Sequence, residues 1–230
     1  MESSARAIAA VSLRERLAQV RDRIDRAAIR AGREASDITL VAVTKVFPAS
    51  VIREAYEAGL RDFGENYVQE FEAKAPEVGD LTGTRFHLIG HLQSNKSKKA
   101  AELFSVIQTV DSAKLARRLD EAARPLDVML EVKISPEEAK NGADPAELPE
   151  LIDAMRATRH LNLIGLMTMP PWSYDAEPSR PYFRRLRELA SQFALPHLSM
   201  GMSHDFEVAI EEGATFIRVG TALFGKRKKP

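Results

Sequence analysis

Near the start of the chain Leu17, Val20, Ile24 and Ala28 recur at helical spacing among Arg and Asp residues, and Gly32 follows them. This spacing predicts an amphipathic helix within residues 3–34 whose apolar face must pack on another element. Beyond it the pattern changes to short apolar runs: Ile38 to Lys45, Asp62 to Asn66, Arg85 to Gly90, Ser105 to Asp111, Leu126 to Ile134, Leu161 to Met169, His197 to Met202 and Thr215 to Gly225. Helical periodicity separates them, over Ser50 to Ala58, Asn95 to Leu103, Ala113 to Ala123, Pro145 to Ala157, Pro181 to Phe193 and Ser203 to Glu212, with a shorter stretch from Tyr67 to Glu77. Strands alternating with helices build a parallel sheet, and eight of them predict an α/β (β/α)8 TIM barrel, with an open doubly wound sheet as the alternative.

No Gly-, Ser- or Pro-rich linker divides the 230 residues, and Pro170 to Pro181 reads as the loop after the sixth strand. The expectation is one domain over residues 1–230, with the N-terminal helix (3–34), a barrel over 38–225 and a basic tail over 226–230. Lys plus Arg total 33 and Asp plus Glu total 33, so no net field draws the chain to nucleic acid or to a membrane surface. Cysteine is absent, which excludes disulfides, thiolate zinc sites and cysteine nucleophiles. The apolar stretch from Ala7 to Val11 is too brief for a signal segment, and a cytoplasmic, non-membrane protein is expected.

Barrel enzymes place their chemistry at the C-terminal ends of the strands. Standing there are Lys45, Asn66, His91, Asp111, Lys133, the Met167 to Met169 segment, Ser203 and the pair Gly220 and Thr221. Lys45 ends the most apolar of the early runs, a position from which a lysine either snorkels to solvent or holds its amine for chemistry. On the eighth run Phe216, Arg218 and Gly220 share one face, and Ile217 and Val219 share the other. The β-branched face suits the helix layer, so Arg218 turns toward the barrel axis, where its guanidinium needs a partner. Either a ligand or an inward carboxylate such as Glu131 meets that need.

The segments Leu198-Ser199-Met200-Gly201-Met202-Ser203 and Arg218-Val219-Gly220-Thr221 join glycines to hydroxyls after the seventh and eighth strands. Glycine admits close approach of a ligand to the backbone, and backbone N–H groups with hydroxyls hold an anion, so a phosphate cradle is expected there. His87 and His91 are four residues apart, about 13 Å along a strand, which is too far to share one metal. The chain has no GxGxxG, Walker or GxSxG motif. An inward amine, an inward arginine and a phosphate cradle together describe a phosphorylated carbonyl held as a Schiff base, either a sugar phosphate in an aldolase or pyridoxal phosphate.

At these residues the chain resembles the pyridoxal phosphate homeostasis proteins, whose barrel is similar to the N-terminal domain of alanine racemase. The matching stretches are Leu40 to Lys45, Phe63-Gly64-Glu65-Asn66-Tyr67-Val68-Gln69-Glu70, His87 to Lys96, Gly165-Leu166-Met167-Thr168-Met169, Leu198 to Ser203 and Ile217 to Thr221. The resemblance implies that Lys45 carries pyridoxal 5'-phosphate (PLP) as an internal aldimine and that Ser203, Gly220 and Thr221 hold its phosphate, with Gly201 in the turn. It also implies that Arg218 faces the pyridine nitrogen and that Asn66 lies near the ring. Thr44, the Val46-Phe47 pair and the basic tail depart from the family pattern.

Family members are thought to buffer or deliver PLP, with PLP-dependent apo-enzymes as candidate recipients, and have no established reaction. A non-enzymatic carrier, working as a monomer, is therefore the first expectation. The alternative is a PLP-dependent amino-acid racemase, which needs a second acid/base group opposite Lys45. Alanine racemases draw that tyrosine from a β-rich domain that this sequence does not show, leaving only Tyr67 and Tyr174 to propose.

Overall fold

The computed structural model describes residues 11–135 and 141–225. Its eight strands are β1 (Thr39–Val43), β2 (Asp62–Glu65), β3 (Arg85–Leu88), β4 (Val106–Val110), β5 (Leu126–Glu131), β6 (Leu161–Met167), β7 (His197–Met202) and β8 (Phe216–Val219). Each pairs in parallel with the next, and β8 returns to β1 through Thr39 opposite Phe216 and Ala42 opposite Val219. The sheet is thus a closed barrel, and the open doubly wound alternative falls away.

Helices α1 (Leu13–Arg30), α2 (Ala49–Glu57), α3 (Val68–Val78), α4 (Ser97–Leu103), α5 (Ala113–Asp120), α6 (Leu148–Arg156), α7 (Arg180–Gln192) and α8 (Phe206–Glu211) alternate with the strands, and α9 (Thr221–Phe224) follows β8. Of the helix expected over 3–34, residues 3–10 lie outside the described residues, as does the tail over 226–230. Among the described residues no helix is long and apolar enough to cross a membrane.

Every predicted strand is present; β7 spans its whole run, and each of the others stops short of the C-terminal end of its apolar run, most of all the eighth. That run was expected to continue to Gly225, with Gly220 and Thr221 inside the strand. Instead β8 ends at Val219 and Thr221 opens α9. The apolar triplet Ala222-Leu223-Phe224 imitates a strand, yet it buries Leu223 and packs Phe224 against Phe47 with ring centroids 5.4 Å apart. In the same way β1 ends at Val43, which leaves Lys45 in a turn where Val46 takes φ +62°.

Alternation along the strands divides two apolar layers. Outward residues such as Phe63, Leu88, Ile107, Leu130, Ile217 and Val219 join one continuous core beneath the helices. Inward, Val41, Met129, Met167 and Phe216 form a small separate plug. Arg218 lies on the same face of β8 as Phe216, so it points inward as the period-2 pattern predicts.

Helix α1 starts at a capping box in which Ser12 Oγ accepts from Glu15 N at 3.3 Å and Glu15 Oε2 accepts from Ser12 N at 2.7 Å. Its apolar face packs into the core, and its arginines reach the last βα units. Arg23 donates to both carboxylate oxygens of Glu207, at 2.6 and 2.8 Å, and stacks 4.2 Å over Phe206. Arg33 donates to the carbonyls of Ile210 and Ala214 at the end of α8. The N-terminal helix therefore braces the β7–α8–β8 corner.

A second brace supports the turn that carries Lys45. The buried Lys74 ammonium, from α3, donates to Thr44 O at 3.1 Å, Glu65 Oε1 at 3.0 Å and Glu70 Oε1 at 2.6 Å. Thr44 Oγ1 also donates to Glu65 at 2.7 Å, and Glu70 accepts from Val46 N. Burial raises the Glu65 carboxyl above its ordinary value, while Lys74 pulls it back. Replacing Lys74→Met leaves Glu65 buried without its cation and is expected to destabilise the fold by about 3–5 kcal/mol. A Glu65→Gln/Lys74→Met double variant should recover much of that loss in urea unfolding, and an equal loss in both variants would contradict the account.

Candidate functional site

Strands β7, β8, β1 and β2 are neighbours in the closed sheet, so their C-terminal ends bring together the segments singled out in the sequence. At β7 the register against β8 shifts between Ser199 and Met202. Gly201 lies in this irregularity with φ +89°, and a Cβ there would stand 2.5 Å from Ala209 Cβ and 2.9 Å from Phe206 Cα. Only glycine fits so close to α8. Beyond it the buried Asp205 accepts from Met202 N at 2.7 Å and from Ser179 Oγ at 3.0 Å, and Arg23 donates to Ser203 O at 3.3 Å.

These contacts aim the Ser203 side chain across to the end of β8. Its hydroxyl oxygen accepts from Gly220 N at 3.2 Å and from Ala222 N at 3.3 Å. An oxygen acceptor thus already sits between two converging backbone N–H groups, with the exposed Thr221 between them in sequence. A Cβ on Gly220 would lie 3.5 Å from Val43 Cβ, which places this cradle against the end of β1, two residues before the half-buried Lys45.

On the other side of Lys45, Thr44 N donates to Gly64 O at 3.0 Å, tying the ends of β1 and β2 together. Asn66 follows two residues later. Its backbone is pressed on Gly90, where a Cβ would come within 2.2 Å of Asn66 O, and it lines a cavity of about 450 Å³ with Tyr67, Gln69, His91, Gln93 and Lys96.

Arg218 is 3% exposed. Its nearest partners are a hydroxyl and a carbonyl: Nη1 donates to Ser199 Oγ at 2.7 Å and Nη2 to Thr168 O at 2.9 Å. Two of its five N–H donors are engaged this way among the described residues. Glu131, the carboxylate considered as its structural partner, makes no ion pair with it among the described residues, and its Oε2 is buried without a hydrogen bond. Burial pushes the Arg218 guanidinium down to about 10, against the pull of Asp205 and Glu131, so it stays charged at neutral pH.

The remaining polar strand-end residues do not join this cluster. His91 lies 3.8 Å from Asp111, whereas His87 is buried and bonds Asp62 and Gln108. Lys133 lines a separate cavity of about 500 Å³ with Glu131, Trp172 and Met202. Tyr67 and Tyr174 are 58% and 95% exposed, and Tyr174 packs edge-on against Trp172 with ring centroids 4.4 Å apart. Asp205 and Arg23 escaped the sequence reading, and Ser199 and Thr168 were named there only within longer segments, without a role. Ser199 had a signal, since period 2 along β7 turns it to the barrel interior, where a hydroxyl needs a partner.

Residues 16–228 match the family model of the alanine racemase N-terminal domain. The chain is 46% identical over 224 residues to the pyridoxal phosphate homeostasis protein of Aquifex aeolicus, covering 93% of this chain and 98% of that one. It is also 46% identical over 222 residues to the protein of the same name from Pseudomonas aeruginosa, covering 94% and 96%. Among solved structures, PipY of Synechococcus elongatus PCC7942 with PLP bound superposes with a TM-score of 0.82 at 42% identity, over 93% of this chain and all of PipY. Alanine racemase of Corynebacterium glutamicum superposes at 0.66 with 20% identity over 92% of this chain and 61% of its own, a likeness of fold.

Glu131 sets a pH dependence. Burial, with Asp111 adding to it and Arg218 opposing, raises its carboxyl from 4.5 to about 7. Between those values the folded chain holds a proton that the unfolded chain has released, so this group's contribution to stability falls as pH rises through that window and is level above it. Glu131→Gln abolishes the decline. In urea unfolding without added ligand, the Gln variant should gain on wild type from pH 5 to pH 8 by up to about 3 kcal/mol, the equivalent of that shift. A difference that is the same at both pH values would show that Glu131 does not titrate there.

Proposed function

We propose that this chain, which belongs to the pyridoxal phosphate homeostasis proteins within the alanine racemase N-terminal-domain family, binds PLP and buffers or delivers it without catalysing a reaction of its own. Lys45 would hold the aldehyde through its amine as a Schiff base, with loss of water, and the bound group would supply a carbonyl thereby masked from other amines. Lys45 is the anchor, Ser203, Gly220 and Thr221 are the phosphate contacts, Gly201 shapes their turn, Arg218 meets the pyridine nitrogen and Asn66 borders the ring.

Most weight rests on the seat of the Ser203 hydroxyl. Its oxygen lies between Gly220 N and Ala222 N beside the end of β1, and oxygen is the atom a phosphate presents. The donor set fits such a group: two backbone N–H groups, two hydroxyls and no nearby carboxylate among the Ser203 contacts. PipY, of the same length class and fold, was solved with PLP bound.

Arg218 bears on what the cofactor does. A charged guanidinium beside a pyridine nitrogen disfavours protonation of that nitrogen, which leaves the ring a poor electron sink. Such a site favours holding over carbanion chemistry, in keeping with relatives named for homeostasis. Cytoplasmic PLP-dependent apo-enzymes are the recipients this reading supplies, with the chain acting as a monomer and without nucleic acid or membrane.

Borohydride reduction of PLP-loaded protein followed by peptide mass spectrometry tests the assignment. A cofactor-sized adduct is expected on the peptide containing Lys45, and Lys45→Ala should lose both that adduct and the visible absorption of the loaded protein. An adduct confined to other lysines overturns the site. Sustained, Lys45-dependent inversion in a chiral assay over a panel of amino acids overturns the non-catalytic part and restores the racemase alternative.

A further inference from the structure

A single file of polar side chains crosses the barrel interior behind Arg218. Ser199 Oγ accepts from Arg218 Nη1 at 2.7 Å and donates to Gln108 Oε1 at 2.6 Å. Gln108 Nε2 lies 3.0 Å from His87 Nδ1, and His87 Nε2 lies 2.9 Å from Asp62 Oδ1. Asp62 also accepts from Arg85 Nε at 2.8 Å. Arg218 belongs to β8, Ser199 to β7, Gln108 to β4, His87 to β3 and Asp62 to β2. Asp62 and Arg85 are the first residues of their strands, so the file starts beneath the mouth and ends at the opposite rim. Ser199, Gln108 and His87 are fully buried.

The chemistry of its last member orders every proton in the file. An ionised carboxylate only accepts, so His87 donates through Nε2. Burial lowers the His87 imidazole below its ordinary range, against the pull of Asp62, and the neutral ring then accepts at Nδ1. Gln108 must turn its NH2 toward His87 and its carbonyl oxygen toward Ser199. The Ser199 proton goes to that oxygen, and the hydroxyl presents only lone pairs to Arg218. Each link has one donor and one acceptor, and reversing any of them would set two donors or two acceptors face to face in a buried site.

We propose that Gln108 and His87 are positioning residues for Arg218: through Ser199 they fix the guanidinium at one orientation and keep its remaining N–H donors directed at the ligand. The inference rests on the reading that Arg218 meets the pyridine nitrogen of PLP. Both residues are fully buried below the mouth. A barrel that needed only a filled interior would be served by apolar side chains such as Met129 and Met167, which form part of the inward apolar plug on β5 and β6. Five polar groups with matched donors and acceptors, leading from the buried guanidinium, are organised for orientation.

Gln108→Met keeps the length of the side chain and breaks the file two links from Arg218. Ser199→Ala breaks it at the first link with a smaller change in volume. For each PLP-loaded variant, shown to be folded by circular dichroism, two properties are measured: the pH titration of the visible absorption, and the rate at which that absorption is lost on dilution. Both variants should shift the titration midpoint from wild type and release the cofactor about two- to twelve-fold faster, the span of one lost hydrogen bond. On an Arg218→Lys background, Gln108→Met should have no further effect on the midpoint, because it acts through the guanidinium.

Midpoints and release rates unchanged in both folded variants overturn the inference while leaving the cofactor assignment standing. So does a Gln108→Met shift that is equally large without Arg218, since that would mark a general loosening of the barrel. Wild-type protein lacking a Lys45-dependent band overturns the assignment and this inference together.

Discussion

Burial of the Arg218 guanidinium is the constraint around which the barrel interior is arranged. Taking an arginine out of water is costly unless its charge and its donors are met. The protein meets them with a hydroxyl and a main-chain carbonyl, and Glu131 and Asp205 act only through their field. A direct ion pair would be stronger in isolation, but it would also fill the donors and neutralise the charge that a ligand could use. Partial satisfaction keeps Arg218 charged and oriented. The same choice leaves Glu131 with an unbonded oxygen and a raised proton affinity, so one buried charge is stabilised beside a second group that holds its proton.

Around that centre the mouth is assembled by braces that come from elsewhere in the chain. Helix α1, outside the barrel repeat, uses Arg23 and Arg33 to fix both ends of α8 and the carbonyl of Ser203. Helix α3 sends Lys74 under the turn after β1, where Thr44, Glu65 and Glu70 converge on its ammonium. Lys45 is thereby held in a defined turn beyond its strand, where it keeps some exposure. Regular sheet geometry alone would have alternated its direction with Thr44 and left nothing to set its height above the barrel.

The fold was legible because its signal is repeated eight times: outward residues such as Phe63, Ile107 and Ile217 are apolar on every strand, and loops separate the runs. Inward orientation of Arg218 followed from one strand's alternation, as did the pairing of glycine with hydroxyl after β7 and β8. The partner of Arg218 was not legible. Glu131 is inward and charged, so it is the natural candidate on a list of residues, but donor geometry selects Ser199 and Thr168. Nothing in the sequence marks Lys74 as buried, and only the three-dimensional meeting of α3 with the β1 turn buries it. The end of β8 was misplaced for a related reason: Ala222, Leu223 and Phe224 are apolar because they face α1 and Phe47, and a one-dimensional pattern cannot tell that from a continuing strand.

The same barrel supports racemases and chains of this kind, so the difference must lie in what surrounds the cofactor position rather than in the sheet. A two-base reaction needs groups of matched acidity poised on both faces of a carbon. Here the two tyrosines considered for the second face, Tyr67 and Tyr174, are exposed, and Tyr174 meets Trp172 edge-on with ring centroids 4.4 Å apart. Glu131, whose proton affinity is raised to near neutrality, is buried within the field of Arg218 and Asp111. What the described residues show is bracing: the turn after β7 is held by Arg23 and Asp205, the turn carrying Lys45 by Lys74, and the Arg218 guanidinium by Ser199 and Thr168. Catalysis requires interactions that strengthen in a transition state, whereas rigid supports of this kind act equally on every bound state, which is the property the proposed holding function needs.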